Sequence, residues 1–407
     1  MKKIVLVFLS LILVFQMSAC AAKKQVKDNA AGQAKPKVNY SKDLKAVWVS
    51  YYEIGSVFLG LNEKQAKQAL DKMFAALSEA GINTVFFHVR AFCDAFYPSK
   101  IFPLSENCPE GYDLLANAIA YAHRYKLSFH AWVNPYRVAL GKEISALDTA
   151  SPAVELYKDN PNHLIFSGKD IFLNPADKKA QRLILSGIRE IVEQYDVDGI
   201  HFDDYFYPSD NSEMDKSTYA AYKNNGGSLE LSDFRRESVN TLISAVHALV
   251  KGENTNLLFG VSPQCFVEKN KESLFADIAS WLDTGSVDYL LPQIYFGFEN
   301  ESAPFRDCVA EWVSLMKGRE IPWYAGLALY KSGTEDTYAS EDTENKDSAY
   351  YEWMNHNDII ARQITYLKEN GIPGFSLYSY SSFVDSGDND TLAQEVNHVK
   401  NVINGHS

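Results

Sequence analysis

The sequence predicts one (β/α)8 barrel, because short β-rich runs alternate eight times with amphipathic helical runs between residues 42 and 407. Long insertions follow the second, third, fourth and seventh of these runs, at the strand ends where barrels carry their substrate loops. A doubly wound open sheet is the alternative. That fold usually has a glycine-rich phosphate turn after its first strand, whereas this chain has Tyr51-Tyr52-Glu53 there.

The predicted strands are short apolar runs rich in β-branched and aromatic residues. They span 45–52, 83–89, 127–133, 197–202, 257–262, 287–294, 323–329 and 374–378. Helices are predicted from the period of their apolar residues over 63–80, 112–125, 178–194, 232–250, 275–283, 305–317, 358–369 and 391–403. The excursion 139–175 and the nearly structureless stretch 332–357 are predicted as loop insertions, and the second is a candidate lid or cleft wall.

Residues 1–19 have the form of an export signal, with two lysines, an apolar core and the small pair Ser18-Ala19 before Cys20. The segment resembles a bacterial lipobox in which Met17 replaces the usual Leu. It predicts cleavage before Cys20, lipidation of that cysteine and an extracytoplasmic location on the cell membrane. A plain secretory signal or an uncleaved anchor is the alternative. Residues 20–41 lack an apolar period and are predicted to be a flexible tether.

The composition restricts the partners. A formal net charge of −13 argues against nucleic acid, whose phosphates require a basic surface. The 24 tyrosines and 23 phenylalanines fit a carbohydrate cleft, although most of these rings are expected in the core. No cysteine or histidine spacing is typical of a metal site, and no cofactor is predicted. Export would allow Cys93 and Cys108 to form a disulfide, but spacing alone decides neither this nor the oligomeric state.

The fourth strand carries the most informative residues. Its apolar run ends in Asp203-Asp204, which aromatic residues surround. Chemistry in α/β proteins sits at the carboxyl ends of strands, and paired carboxylates beside aromatic platforms suggest glycoside hydrolysis. The structural alternative is a helix cap combined with an ion pair.

Side-chain alternation along the other strands selects further candidates for one common mouth. The predicted substrate-binding residues are Arg90, Asp94, His130, Trp132, Asn134, Tyr136, Arg137, His201, Tyr205, Gln293, Tyr295 and Tyr378. Alternatives stay open for several of them. His130 could be a satisfied core histidine, Arg90 could pair with Asp94 for structural reasons, and Trp132 could be a core residue.

Several segments resemble the glycosyl hydrolase-like 10 family of exported bacterial proteins. The similar segments are 45–49, 89–90 with 94–99, 130–137, 195–208, 261–263 and 288–295. His88 and Ala91 replace the Gln and Pro of the second motif, and Lys45-Ala46 replaces an opening Arg-Gly. The resemblance implies a TIM barrel, export and a glycan substrate, with peptidoglycan strands as the leading candidate.

Two routes to hydrolysis are compatible with the sequence. Direct displacement needs a second carboxylate, for which Asp94 and Glu53 are candidates. In the other route an N-acetylated sugar supplies its own nucleophile, while Asp203 or Asp204 orients it and the other acts as the acid. Tyr205 stands where chitinase-like barrels carry their acid.

Two other classes of protein remain possible. One is a glycan-binding lipoprotein without catalysis. The other is a metal-dependent deacetylase that uses His88, His130, His201 and Asp203.

Overall fold

The computed structural model describes residues 38–40 and 42–405. Its strands, in chain order, are β1 (Leu44–Val49), β2 (Thr84–Arg90), β3 (Ser128–Val133), β4 (Arg137–Ala139), β5 (Leu164–Ser167), β6 (Asp170–Leu173), β7 (Gly199–Phe202), β8 (Leu258–Val261), β9 (Tyr289–Leu290), β10 (Ala325–Leu327) and β11 (Gly374–Leu377). Eight of them form one parallel sheet in the order β10-β11-β1-β2-β3-β7-β8-β9. Parallel bridges from Leu290 to Trp323 and from Gln293 to Gly326 join its two edges. The predicted (β/α)8 barrel is confirmed.

Helices cover the outside of the sheet and fill its loops. They are α1 (Tyr51–Phe58), α2 (Glu63–Glu79), α3 (Leu114–Arg124), α4 (Pro152–Asp159), α5 (Lys178–Gln194), α6 (Lys216–Asn224), α7 (Leu231–Glu253), α8 (Val267–Ser273), α9 (Ile278–Asp283), α10 (Phe305–Met316), α11 (Glu352–Asn355), α12 (Ile359–Glu369), α13 (Tyr380–Val384) and α14 (Asp390–Asn404). The eight predicted helices are present. The short helices α1, α4, α6, α8, α11 and α13 were not predicted.

The excursion after β3 is more ordered than a loop. Its strands form a small antiparallel sheet in the order β4-β6-β5, and α4 lies within the same segment. The prediction of a plain loop over 139–175 is therefore wrong. The sheet holds the backbone of Arg137, which pairs with Phe172, beside the carboxyl ends of the barrel strands.

Polar side chains tie the amino ends of the barrel strands together. Asn83, Asp198 and Asp288 each precede a strand and accept a hydrogen bond from the backbone N–H of the second residue of a neighbouring strand. The distances are 3.0, 2.8 and 2.7 Å. These contacts satisfy donors that would otherwise be unpaired at a buried sheet end. They assign Asp198 a structural role at the end of the barrel opposite Asp203.

Two glycines leave space in the barrel interior for the rings of neighbouring histidine and tyrosine residues. A Cβ on Gly199 would lie 2.6 Å from Nδ1 of His130, and one on Gly260 would lie 2.1 Å from the ring of Tyr289. The hydroxyl of Tyr289 lies 3.0 Å from Nδ1 of both His130 and His201. Glycine is therefore needed at both positions because these rings occupy the space of a side chain.

The last residue of the predicted tether that the structure describes is part of the fold. Tyr40 is partly buried, and its hydroxyl contacts Ser128 and lies 3.1 Å from Nε2 of His130. Its carbonyl accepts a hydrogen bond from Tyr324. The tether boundary at residue 41 therefore needs correction, since the packed domain already includes Tyr40.

Some sequence predictions fall outside the described residues, namely the signal over 1–19, lipidation at Cys20 and most of the tether. Within 38–40 and 42–405, none of the helices has the length and apolar character needed to cross a bilayer. Cys93 and Cys108 are both buried and are free thiols in this structure.

Candidate active site

A cavity of about 670 Å³ opens at the carboxyl ends of the barrel strands. The predicted residues that line it are Trp132, Asn134, Arg137, Asp203, Asp204, Tyr205, Gln293, Tyr295 and Tyr378. Further lining residues that were not among the predicted substrate-binding residues include Tyr51, Tyr52, His88, Gln264, Lys269, Tyr330 and Tyr338. Residues from at least six strand ends therefore meet at one site.

Asp203 and Asp204 lie at the floor of the cavity and are 8% and 7% exposed. Oδ1 of Asp203 accepts hydrogen bonds from Gln293 Nε2 and from the backbone N–H of Asp204, both at 3.0 Å. Burial raises the pKa of Asp203 well above its usual range, and the adjacent charge of Asp204 and a hydrogen bond between the two carboxyls raise it further. This raised pKa favours the protonated form of the Asp203 carboxyl.

Aromatic rings form the cavity walls around this pair. Trp132 stacks on His88 with ring centroids 3.5 Å apart and planes 13° apart. Burial lowers the pKa of His88 well below its usual range, so its ring is neutral. Tyr295 and Tyr378 lie on another side, with centroids 6.1 Å apart. Flat apolar faces beside hydroxyl groups suit sugar rings, which present C–H groups on one face and hydroxyls at the edge.

Sequence reasoning missed the aromatic pair at the entrance. Strand β1 ends at Val49, and Tyr51 and Tyr52 begin helix α1 rather than extending the strand. Their rings lie 4.0 Å apart, and Tyr52 is 68% exposed. The signal in the sequence was Ser50-Tyr51-Tyr52-Glu53, which has the spacing of a capping box.

Glu53 lies near the site but outside the cavity lining. Its carboxylate accepts hydrogen bonds from the backbone N–H of Ser50 at 2.6 Å, the hydroxyl of Ser379 at 2.5 Å and the N–H of Ser381 at 2.6 Å. These contacts join the loops that follow β1 and β11. Glu53 is therefore occupied as a structural acceptor.

The structure places Arg90 and Asp94 outside the common mouth. A register shift between His88 and Arg90 breaks the alternation in β2, so the parity argument fails there. The Arg90 guanidinium lies 3.9 Å from the ring of Phe102. It also occupies the space beside Gly187 of α5, where a Cβ would lie 1.9 Å from its Nη1. The expectation that Arg90 lines the mouth with Asp203 is wrong.

Asp94 is half-buried in the loop after β2 and is absent from the cavity lining. Burial raises the pKa of its carboxyl, and a hydrogen bond with Ser105 opposes that shift. The structure therefore leaves both candidates for a second acid, Asp94 and Glu53, behind the cavity wall.

His130, His201 and Tyr136 are fully buried and lie outside the cavity lining. Trp48, which does line the cavity, donates its indole N–H to Nε2 of His201 at 3.2 Å. Burial lowers the pKa of His130 to about 4 and that of His201 well below its usual range. These two histidines are therefore neutral supports beneath the cavity floor.

Their hydrogen bonds form one directed chain. Because Trp48 donates to Nε2 of His201, the ring proton of His201 is on Nδ1 and points to the hydroxyl of Tyr289. Tyr289 then donates to Nδ1 of His130, and Nε2 of His130 donates to Tyr40. The chain fixes both tautomers and connects the cavity floor to the opposite end of the barrel.

Tyr338, in the stretch 332–357, forms part of the cavity wall. Lys331 and Asp336 are almost completely buried and form an ion pair at 2.6 Å. Asp336 also accepts a hydrogen bond from the indole of Trp353 at 3.2 Å, and Lys331 lies 3.7 Å from the ring centroid of Tyr338. Tyr338 and Tyr330 are thereby held against the cavity, which favours the predicted cleft wall over a lid.

Within the described residues, no three histidine, cysteine, aspartate or glutamate side chains are arranged to hold a metal ion. The deacetylase hypothesis required His88, His130, His201 and Asp203 to converge. His130 and His201 use their nitrogens in the directed chain, so this donor set is not free to bind a metal together.

The sequence model of the family glycosyl hydrolase-like 10 matches residues 43–341 of this chain. The chain belongs to the glycosyl hydrolase-like 10 family. The resemblance of the six sequence segments to this family is confirmed.

The chain is also similar to the glycosyl hydrolase YngK of Bacillus subtilis. It is 31% identical to the chain over 323 residues, which cover 71% of this chain and 61% of YngK. The glycosyl hydrolase DigH of Escherichia coli is 30% identical over 331 residues, which cover 72% of this chain and 74% of DigH. The chain thus matches less than two thirds of the length of YngK.

Solved barrels support the fold of this family member. The glycoside hydrolase domain of PgaB (BpsB) from Bordetella bronchiseptica superposes with a TM-score of 0.57 at 12% identity, covering 89% of this chain and 98% of that domain. The catalytic domain of a β-amylase from Paenibacillus polymyxa gives a TM-score of 0.55 at 10% identity, covering 90% and 99%. At such low identity the likeness concerns the fold alone.

Proposed function

We propose that this protein is a glycoside hydrolase that cleaves a bacterial cell-wall glycan, with peptidoglycan strands as its substrate and Asp203 and Asp204 as its catalytic carboxyls. One observation carries the proposal. Among the cavity-lining residues that the structure describes, Asp203 and Asp204 are the carboxyls, and burial beside Asp204 raises the pKa of Asp203.

A protonated Asp203 suits the first step of glycosidic bond cleavage. Cleavage of a glycosidic bond requires an acid that protonates the leaving oxygen as the bond to the anomeric carbon breaks. A carboxyl whose pKa is raised by burial and by a second carboxyl remains protonated at the pH where the enzyme works. Gln293 occupies Oδ1 of Asp203, so the proton is on its other oxygen.

The described cavity lining has no carboxylate apart from the Asp203–Asp204 pair that could act as the nucleophile. We therefore assign the nucleophile to the substrate itself. Glu53 and Asp94 lie behind the wall. An N-acetylated sugar supplies the missing group, because its acetamide oxygen bonds to the anomeric carbon as the leaving oxygen takes the proton. Water then opens the cyclic intermediate and returns a proton to the carboxyl pair. This mechanism requires an N-acetylated glycan.

The test is incubation of the full chain with purified peptidoglycan strands and with chitin oligomers, followed by mass spectrometry of the products. New reducing ends within the glycan support the proposal. Binding without cleavage indicates a glycan-binding protein instead. Release of acetate that a chelator abolishes indicates a metal-dependent deacetylase.

For the location, we propose export and a lipid anchor at Cys20, supported by the lipobox-like segment 17–20. Cys20→Ala should release the protein from membranes or arrest its processing, as seen by cell fractionation and mass. Unchanged attachment and processing in that variant would refute the lipid anchor.

A further inference from the structure

Arg137 lies in the wall of the cavity. Its guanidinium lies 3.3 Å from the ring centroid of Tyr205, and its Nε–H is buried without a hydrogen-bond partner. Among the described residues, no ion pair joins it to a carboxylate and no hydrogen bond joins its side chain to an acceptor. An unmet buried donor is costly, so this side chain is a candidate for binding a ligand.

The charges around Arg137 leave it available to a ligand. Arg137 acts on Asp203 through space, and no ion pair joins the two side chains among the described residues. Lys269 adds a second cation at the rim on α8. The lining therefore presents two cations, in a chain whose formal net charge is −13. Cations on the wall and at the rim favour an anionic group on the ligand.

The position of Arg137 is fixed from two sides. Its backbone pairs with Phe172 in the small antiparallel sheet, and its plane stacks on Tyr205, two residues beyond Asp203. Stacking fixes the plane of the guanidinium without using any of its N–H donors. A planar guanidinium held in this way matches the two oxygens of a carboxylate.

We propose that the cavity selects a glycan that bears a carboxylate on its sugar residues, and that Arg137 binds this carboxylate; the inference rests on the function proposed above. Peptidoglycan without stem peptides is a suitable probe, because its lactyl ether groups end in free carboxylates. The same strands after chemical reduction of the carboxyl to an alcohol provide a neutral ligand with an unchanged backbone.

The experiment compares the affinity for both forms of strand by calorimetry, using full chains that carry Asp203→Asn to prevent turnover. The expected preference for the carboxylate form is at least about tenfold, as for other charge-assisted hydrogen bonds. Arg137→Gln should bring the ratio of the two affinities close to one. Arg137→Lys keeps the charge but loses the planar pair of N–H donors, and should give an intermediate ratio of the two affinities.

Two variants serve as controls. Arg182→Gln removes the same charge from an exposed position on α5, away from the cavity, and should keep the preference. Lys269→Gln tests whether the rim cation binds the carboxylate instead. Circular dichroism confirms that each variant is folded.

Three results would overturn the inference. They are equal affinity of the Asp203→Asn chain for both strands, a preference that survives Arg137→Gln, and a preference lost in Lys269→Gln but not in Arg137→Gln. If the parent chain cleaves neither strand, the proposed hydrolase function fails, but the ratio of affinities still decides the role of Arg137.

Discussion

Gln293 Nε2 donates a hydrogen bond to Oδ1 of Asp203 across 3.0 Å and connects the segment after β9 to the end of β7. The same amide nitrogen lies 3.2 Å from the carbonyl of Ser262, after β8. Three successive barrel strands therefore position one carboxyl oxygen. Because Oδ1 accepts two hydrogen bonds, protonation of Asp203 is favoured on Oδ2.

The first prediction concerns the carboxyl pair. Asp203→Asn and Asp204→Asn should each lower kcat/KM for glycan cleavage by at least about 10²-fold, the lower range for losing a general acid or base. Asp210→Asn, an exposed carboxyl in the same loop, is the matched control and should retain activity. Product release is quantified by mass spectrometry, and circular dichroism checks the fold. If the chain cleaves glycan and tolerates both substitutions, the catalytic groups lie elsewhere on the rim.

The second prediction is a pH dependence. Cleavage that needs protonated Asp203 should decline as the pH rises through its raised pKa, which gives a basic limb in the profile of kcat/KM. Gln293→Glu places another carboxyl against Asp203 and should move that limb to higher pH, since a like charge disfavours ionisation. Gln293→Met removes the hydrogen bond without adding charge and should shift the limb less. A limb that moves to lower pH in Gln293→Glu contradicts this assignment of the acid.

The periodicity of the sequence was sufficient to predict the barrel. Helix α5 was predicted with its observed bounds because Asp177 caps its first turn and its apolar residues keep one period. Alternation along β7 and β3 correctly brought Asp203, Tyr205, Trp132 and Asn134 to one cavity. These strands keep a regular register, so parity can be read from the chain.

The errors have local physical causes. Arg90 faces the outer helices because β2 shifts its register after His88, and a shift of this kind leaves no mark in the pattern of residue types. His130 and His201 do point inward, as predicted, but they lie one layer below the cavity. The alternation of side chains along a strand shows which face of the strand a residue is on, but not how far along the barrel axis it lies. That position decides whether an inward residue contacts a ligand or only packs beneath the cavity.

The third prediction separates Glu53 from the catalytic acids. Glu53→Gln replaces an acceptor that has three donors around it with an amide whose NH2 group must face one of them. The variant should unfold at a lower urea concentration, with a loss of about 1–3 kcal/mol, the cost of an unmet buried group. Its kcat at a temperature where it is folded should stay within about tenfold of the parent. A loss of about 10²-fold or more in kcat with unchanged stability would instead make Glu53 the second acid.

The last prediction concerns the directed chain beneath the floor. The folded chain keeps His201 neutral with a lowered pKa, whereas the unfolded chain takes up a proton below about pH 6.5. Its contribution to stability is therefore present above that pH and is lost as the pH falls. Urea unfolding of the parent should become easier between about pH 7 and pH 5.

Two substitutions separate the proton from the hydrogen bonds. His201→Phe leaves the indole N–H of Trp48 and the hydroxyl of Tyr289 without their partner, and should cost about 2 kcal/mol or more at neutral pH. His201→Gln retains a hydrogen-bond acceptor and a donor but does not titrate. Its loss of unfolding free energy at neutral pH should therefore be smaller, and its stability should fall less as the pH is lowered. His398→Gln, at an exposed position on α14, is the control and should leave the pH dependence unchanged. If His201→Gln shows the same acid dependence as the parent, His201 is not the group whose protonation destabilises the fold, and His130, with its pKa lowered to about 4, is the next to substitute.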